Sequence, residues 1–214
     1  LPSIINSMIK KNKLKSQNHK VLRAFAEILM GNKERALYKI SSVIDDIAKE
    51  EEDIKNLINA CLQNNSFEKK IHFLKKLTGK RHYSIFASKE LASIYYRNSH
   101  FLEAEEYAVK AFNEDDTDIE TLVLLIKIYA RRAMWSKLFF VVTKLQRADQ
   151  SLLDSMKDEI AEYYYLAAKS YISNNEDEEG IKYLETSLEL KLDYLDALTL
   201  FAEVKTSANA TSEV

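Results

Sequence analysis

The sequence predicts an all-α chain built as an α-solenoid of helix–turn–helix repeats. Three observations predict it. The stretch from Ile85 to Asp118, 34 residues long, reads as two short amphipathic helices joined at Asn98-Ser99-His100, and the same pattern recurs when the window slides by its own length. Three Gly and one Pro in 214 residues leave little material for hairpins, and no stretch shows sustained two-residue alternation. Corners are marked instead by Gly31-Asn32, Asn64-Asn65-Ser66, Asn98-Ser99 and Asn174-Asn175. Asn and Ser suit such corners, where their side chains are expected to cap the next helix.

Taken in order, residues 1–16 form a basic N-terminal segment and 17–206 the repeat domain. The first repeat, 17–50, places Ala36, Ile40 and Val43 on the inner face of its second helix, with Lys33 at its start. Its first helix fits poorly, because Arg23 and Glu27 flank Ala24 where apolar residues belong. The repeat 51–84 aligns Leu57, Ile58 and Cys61 with Phe67, Lys70, Leu74 and Leu77. In 85–118, Leu91, Ala92 and Tyr95 face Phe101, Ala104, Ala108 and Ala111. In 119–152 the set is Leu125, Ile126 and Tyr129 with Trp135, Leu138, Val142 and Leu145. An insertion, 153–160, then breaks the register. It has no Gly or Pro, and Leu152, Leu153 and Met156 keep helical spacing, so it is expected to extend or cap a helix. The pattern resumes at 161–194 with Ala167, Ala168, Tyr171, Asp177, Gly180, Leu184 and Ser187. A terminal helix, 195–206, puts Phe201 and Ala202 at the paired core positions, and 207–214 is a small, polar, flexible tail.

The period and the small residues at Ala92, Ala104 and Ala111 resemble the tetratricopeptide repeat, which implies a right-handed superhelix. A narrower resemblance rests on VLRAFAEILMGNKERALYKI, NLINACLQNNSFEKKIHFLKKL, ELASIYYRNSHFLEAEEYAVKAF and TLVLLIKIYARRAMWSKLFFVVTKLQRADQ in this order, with an acidic insertion after them. From Leu1 to Ala168 this is similar to the HemY family, bacterial tetratricopeptide proteins associated with haem biosynthesis. The resemblance implies membrane-spanning helices upstream of a basic linker, with the repeats on the cytoplasmic face of the inner membrane. It implies no catalytic residues. Two features depart from the family: this linker uses Lys rather than Arg, and Glu27 replaces an apolar residue.

Composition agrees with part of that expectation. The chain starts at Leu1 without Met, and no acidic residue occurs before Glu27, while Lys10, Lys11, Lys13, Lys15, Lys20 and Arg23 are basic. Such clusters flank the cytoplasmic side of membrane spans, or form a solvated leader. No run within the sequence approaches the ~18 apolar residues of a span. Net charge is −2, which gives no general nucleic-acid signature. Cys61, the single cysteine, can form no internal disulfide, which fits a reducing compartment.

No chemistry-bearing constellation emerges. Gly31, Gly79 and Gly180 are too far apart for a phosphate-cradling loop, and His19, His72, His82 and His100 share no helix face at ligand spacing. Acidic clusters such as Glu50-Glu51-Glu52-Asp53 complement helix starts. No cofactor or metal is expected, and haem carriage stands only as a subordinate alternative drawn from the family resemblance.

The first helix of each repeat is expected to line a concave wall. Positions two, five, nine, twelve and thirteen collect Lys55 and Asn59; Phe86, Lys89, Ser93, Tyr96 and Arg97; Lys127 and Arg131; then Tyr165 and Lys169. A cationic row with aromatic neighbours in a slightly acidic chain points to an acidic protein segment as partner. Lys55 and Asn59 also match the first pair of the carboxylate clamp of chaperone-binding tetratricopeptide domains. Glu90, Glu120 and Leu124 occupy the remaining clamp positions, which disfavours that ligand. Outside the repeat pattern, Phe139-Phe140 and Tyr163-Tyr164-Tyr165 put aromatics on several faces, and the insertion is expected to cover them. The reading is a non-catalytic protein–protein interaction scaffold, membrane-tethered if the HemY resemblance holds, with a generic soluble peptide-binding adaptor as the alternative.

Overall fold

The computed structural model describes residues 23, 24, 26–28, 30–32, 35, 36, 38, 39, 67–80 and 83–212, with side chains as far as 206. These residues are helical apart from turns, without a strand among them. Helices α1 (Phe67–Leu77), α2 (Ser84–Arg97) and α3 (Phe101–Glu114) belong to one compact unit, 1–115. Helices α4 (Ile119–Arg131), α5 (Trp135–Ala148), α6 (Gln150–Ser155), α7 (Lys157–Ser173), α8 (Asp177–Leu190) and α9 (Leu195–Ser212) belong to a second, 116–214. The expected core positions Lys33, Ile40, Val43, Leu57, Ile58 and Cys61 lie outside the described residues.

Successive helices pair as hairpins: α2 with α3, α4 with α5, and α7 with α8. Each turn has one construction. Gly31, Ser99, Ala133 and Asn175 hold left-handed backbone, with φ of 80°, 62°, 51° and 63°. The following N–H then reaches back to the carbonyl five residues earlier: Asn32 to Glu27, His100 to Tyr95, Met134 to Tyr129, and Glu176 to Tyr171, at 2.7–3.0 Å. That bond satisfies a carbonyl the helix end would leave unpaired. The corner residues thus serve the preceding helix. His100, Met134 and Glu176 make no side-chain cap for the helices that follow, contrary to the capping role expected of these corners. Asn98 points its amide back to the Ile94 carbonyl at 2.7 Å. Genuine side-chain caps sit between hairpins, where Asp118 accepts from Thr121 N–H and Asp149 from Leu152 N–H, each at 2.9 Å.

The predicted inner faces are buried: Leu91, Ala92, Ala104, Ala108 and Ala111 in the first unit; Leu125, Ile126, Leu138, Leu145, Ala168 and Leu184 in the second. Hairpins are latched by hydroxyls. Ser84 Oγ donates to Glu114 Oε1 at 2.6 Å, and buried Ser187 Oγ to the Ala161 carbonyl at 2.8 Å.

Two expectations need revision. The extra residues are helical, as expected, forming the end of the short α6, which begins at Gln150, and the first turn of α7. The capping carboxylate at Asp149, next to the end of α5, starts it there. Helix α9 continues to Ser212, past the point where the tail was expected, through helix-favouring Ala208 and Ala210. Within α9, Ala202 is exposed; among its residues 195–206, Ala197 and Val204 are buried. In the other hairpins the equivalent residues, Ala92, Ile126 and Ala168, are fully buried.

Candidate functional site

The predicted binding residues fall on first helices of hairpins. Lys55 and Asn59 lie outside the described residues. In the first unit, α2 carries Phe86, Lys89, Ser93 and Tyr96, all half-buried, and exposed Arg97. The Arg97 guanidinium donates to Ser93 Oγ at 2.8 Å, one turn back on the same face. The Tyr96 ring tilts against Phe101 at 5.7 Å and so packs at the hairpin corner. In the second unit, α4 presents half-buried Lys127 and exposed Arg131, and α7 presents exposed Lys169. Tyr165 is not a free anchor beside them. Its ring sits 5.2 Å from Tyr194 and joins the cluster around Ala168, Leu184 and Ala197. What each unit leaves toward solvent is chiefly the charge of these side chains.

The sequence reading missed a second feature, the pairing of residues twelve apart across each hairpin. Tyr95 stacks on Tyr107 at 5.7 Å, and Tyr171 packs on Tyr183 at 5.2 Å. Tyr129 and Val141, both buried, occupy the same two positions. Glu27 forms an ion pair with Lys39 there, and this answers the apparent misfit of Glu27. The hydrogen bond from Lys39, helped by one from Asn32, holds the Glu27 carboxyl below its usual value. The signal was available as a recurring i, i+12 spacing. It was hidden because the pair changes chemistry from hairpin to hairpin.

Around Tyr95 the first unit adds Phe67 edge-on at 5.9 Å and His100 at 6.0 Å. Lys75 reaches Tyr95, and that hydrogen bond holds the ammonium above its usual value. The second unit builds a larger cluster. Phe139 stacks on Tyr164 at 4.0 Å and on Tyr183 at 5.3 Å. Tyr163 instead donates its hydroxyl to Glu159. Phe139, Tyr164 and Tyr165 are thus covered by one another and by neighbours on α8 and in the Tyr194 turn, and only Tyr163 is met by the insertion expected to cover them, through Glu159. Phe140 remains exposed.

Burial, reinforced by Tyr171, pushes the Tyr183 hydroxyl up to about 12, and burial raises Tyr164, Tyr129, Tyr194 and Tyr107 as well. A raised folded-state value means that the neutral phenol is favoured in the fold. Its stabilising contribution is complete below the ordinary tyrosine value of about 10 and is lost as pH climbs through it toward the folded value. Helical circular dichroism should hold to about pH 10 and fall steeply above it, together with the rise of tyrosinate absorbance. Tyrosinate formation spread smoothly about the ordinary value, with helicity unchanged, would show these rings to be open to water.

His72 lies on the exposed side of α1. His100 stacks on Phe67 at 5.7 Å with Nδ1 3.7 Å from Glu103. His19 and His82 lie outside the described residues. No group of three or more His, Cys, Asp or Glu converges among the described residues. No described helix is long and apolar enough to cross a membrane.

No protein-family model matches the chain. An uncharacterized protein of Rickettsia prowazekii (strain Madrid E) is 33% identical over 202 residues, covering 94% of this chain. The chain spans 59% of that relative's length. Among solved structures, YrrB, a TPR protein with an unusual peptide-binding site, aligns with a TM-score of 0.51 and 14% identity, over 91% of this chain and 96% of that one. MamA aligns with a TM-score of 0.50 and 15% identity, over 82% and 91%. At such identities a likeness reports the fold alone, and it agrees with the hairpins, left-handed corners and small-residue contacts described above: this chain has the all-α fold of tetratricopeptide repeats.

Proposed function

We propose that the chain is a non-catalytic protein-interaction scaffold whose cationic first-helix faces bind acidic segments of a partner protein. The observation that supports this reading is the recurrence of cations on first helices: Arg97 and Arg131 share one repeat position, Lys127 and Lys169 another, and Lys89 lies on the same helix as Arg97. They recur in a chain whose net charge is −2, so the basic character is local. Phe86 and Tyr96 add half-buried apolar area beside the first pair. The peptide-binding site of YrrB, on the same fold, is a precedent for the class of ligand.

The test uses a fluorescein-labelled acidic peptide, rich in Glu and Asp around one Phe, titrated by anisotropy. Exposed charges are screened over about 8–10 Å at physiological ionic strength, so affinity should fall as salt rises. The double substitution Arg97→Glu, Arg131→Glu should weaken binding by about tenfold or more, with circular dichroism unchanged, through a slower association rate. Unchanged affinity in that variant would move the binding site off these faces.

The HemY-like residues support a narrower form, in which the scaffold is tethered to a membrane and organises haem-pathway proteins. Its test is co-purification of defined haem-biosynthetic enzymes with the full-length protein from native membranes, lost in the same double variant. A Soret band on adding haemin that disappears in His100→Ala would instead favour a haem carrier.

A further inference from the structure

The outer faces of α5 and α8 carry opposite charge. On α5, Leu138, Val142 and Leu145 are buried, and the far side presents Phe140, 56% exposed, among Lys137, Lys144 and Arg147. No acid occurs anywhere in α5. On α8, Gly180, Leu184 and Ser187 are buried, and the far side presents Glu178, Lys182, Glu185 and Glu189. The two are second helices of successive hairpins, and the Phe139–Tyr183 stack at 5.3 Å sets them side by side in one unit. Part of this charge is unanswered within the unit. Lys144 pairs with Asp116 and Lys182 with Glu179, whereas Arg147, Glu185 and Glu189 make no ion pair among the described residues. Phe140 is also unlike its counterparts. His72, Glu106 and Lys182 hold its position in the other second helices, all polar and exposed, as suits a solvated helix back.

We propose that this surface binds a second copy of the chain, with α5 of each copy lying on α8 of the other. A two-fold axis between α5 and α8, parallel to both, turns each ridge onto its opposite. Equivalent positions then come level. At 1.5 Å and about 100° per residue, Lys137 meets Glu178, Lys144 meets Glu185, and Arg147 meets Glu189 across the seam. Phe140 meets Lys182, a cation over a ring. The other two-fold, in the same plane but perpendicular to the helices, would set α5 on α5 and α8 on α8, like charge against like. An anionic membrane surface suits the face less well, because it answers α5 and is repelled by the acids of α8 alongside. Both helices have 14 residues and run about 21 Å, so two of them side by side, about 20 Å across, make a contact at the small end of protein interfaces. The dimer is therefore weak, and its charge pairs make it sensitive to salt.

Sedimentation of the 214-residue chain at micromolar concentrations tests this. A dimer should form at low salt and loosen as salt rises. Each substitution is met twice in a two-fold dimer, so Arg147→Glu and, separately, Glu189→Lys should each weaken it about tenfold or more. The double variant Arg147→Glu, Glu189→Lys keeps the parent's net charge and should recover the dimer. Phe140→Ser should weaken it comparably, with circular dichroism unchanged because the ring is exposed. A chain that stays monomeric at low salt overturns the proposal. So does a dimer indifferent to all three single substitutions, or one in which the double variant is weaker than both of its singles. So does a monomer that binds phosphatidylglycerol vesicles and loses them in Phe140→Ser, since the face would then serve a lipid surface.

Discussion

Leu125→Ala is expected to lower the thermal midpoint by roughly 4–20 °C. Leu125 is 1% exposed on α4, with Leu122, Ile126 and Ile128 fully buried on the same helix. Truncating such a leucine removes its transfer free energy and leaves a cavity the neighbours fill only partly, a loss of about 2–5 kcal/mol. For a chain of this size each kcal/mol displaces the midpoint by about 2–4 °C. Trp135, the single tryptophan, is buried at the start of the paired helix α5 and reports on the same hairpin. Its fluorescence and the helical signal should move together. In a repeat array each hairpin is supported by its neighbours, so the whole transition should shift. A variant that melts like the parent would mean that Leu125 does not face the hairpin interior.

Gly180→Val should be comparably damaging for the opposite reason. Helix α8 passes so close to α7 that a Cβ at Gly180 would lie 2.5 Å from Ile172 Cγ1 and 3.2 Å from the Ala168 carbonyl oxygen. Replacing a mid-helix glycine by alanine ordinarily gains up to about 1 kcal/mol from propensity. Here even Gly180→Ala should lose stability, because the carbonyl is main chain and has little room to retreat. Valine adds two methyl groups against the same wall and should reach or exceed the upper end of the roughly 1–3 kcal/mol typical of overpacking. Ile172→Ala should rescue part of the loss in Gly180→Ala and less in Gly180→Val, since it relieves the side-chain clash and leaves the carbonyl. A parent-like midpoint for Gly180→Val would show that α7 and α8 stand further apart.

Much of the fold was legible because small residues at fixed spacing leave few ways to pack two helices. Ala92 with Ala104, and Ala168 with Gly180, mark the helix pairs α2–α3 and α7–α8, and the 34-residue period carries the same register to α4 and α5, where Ile126 and Leu138 stand at those positions. Less legible was everything that depends on which element covers which. Tyr165 reads as a surface anchor until Tyr194, 29 residues on and in an irregular turn, is brought against it. Glu27 reads as a defect until Lys39 is seen across the corner. Ala202 reads as core because its position is core wherever a second helix follows. The cationic residues were legible as types and as helix positions. Charge on a solvated face leaves no packing signature, so their role rests on the binding experiment.

The pairing of residues twelve apart has a consequence for how such a chain can change. The hairpins close over pairs of differing chemistry: phenol on phenol at Tyr95 and Tyr107, acid on base at Glu27 and Lys39. Moving one half of a pair into another hairpin would bury a carboxylate against a ring or leave an ammonium without its partner, whereas moving both halves together carries the fit along. Substitutions at these sites should therefore be strongly non-additive within a pair, and Tyr183 should couple also to Phe139 of the preceding hairpin, on which its ring stacks. The repeats can then drift apart in sequence two residues at a time while the backbone that presents their outer faces stays the same.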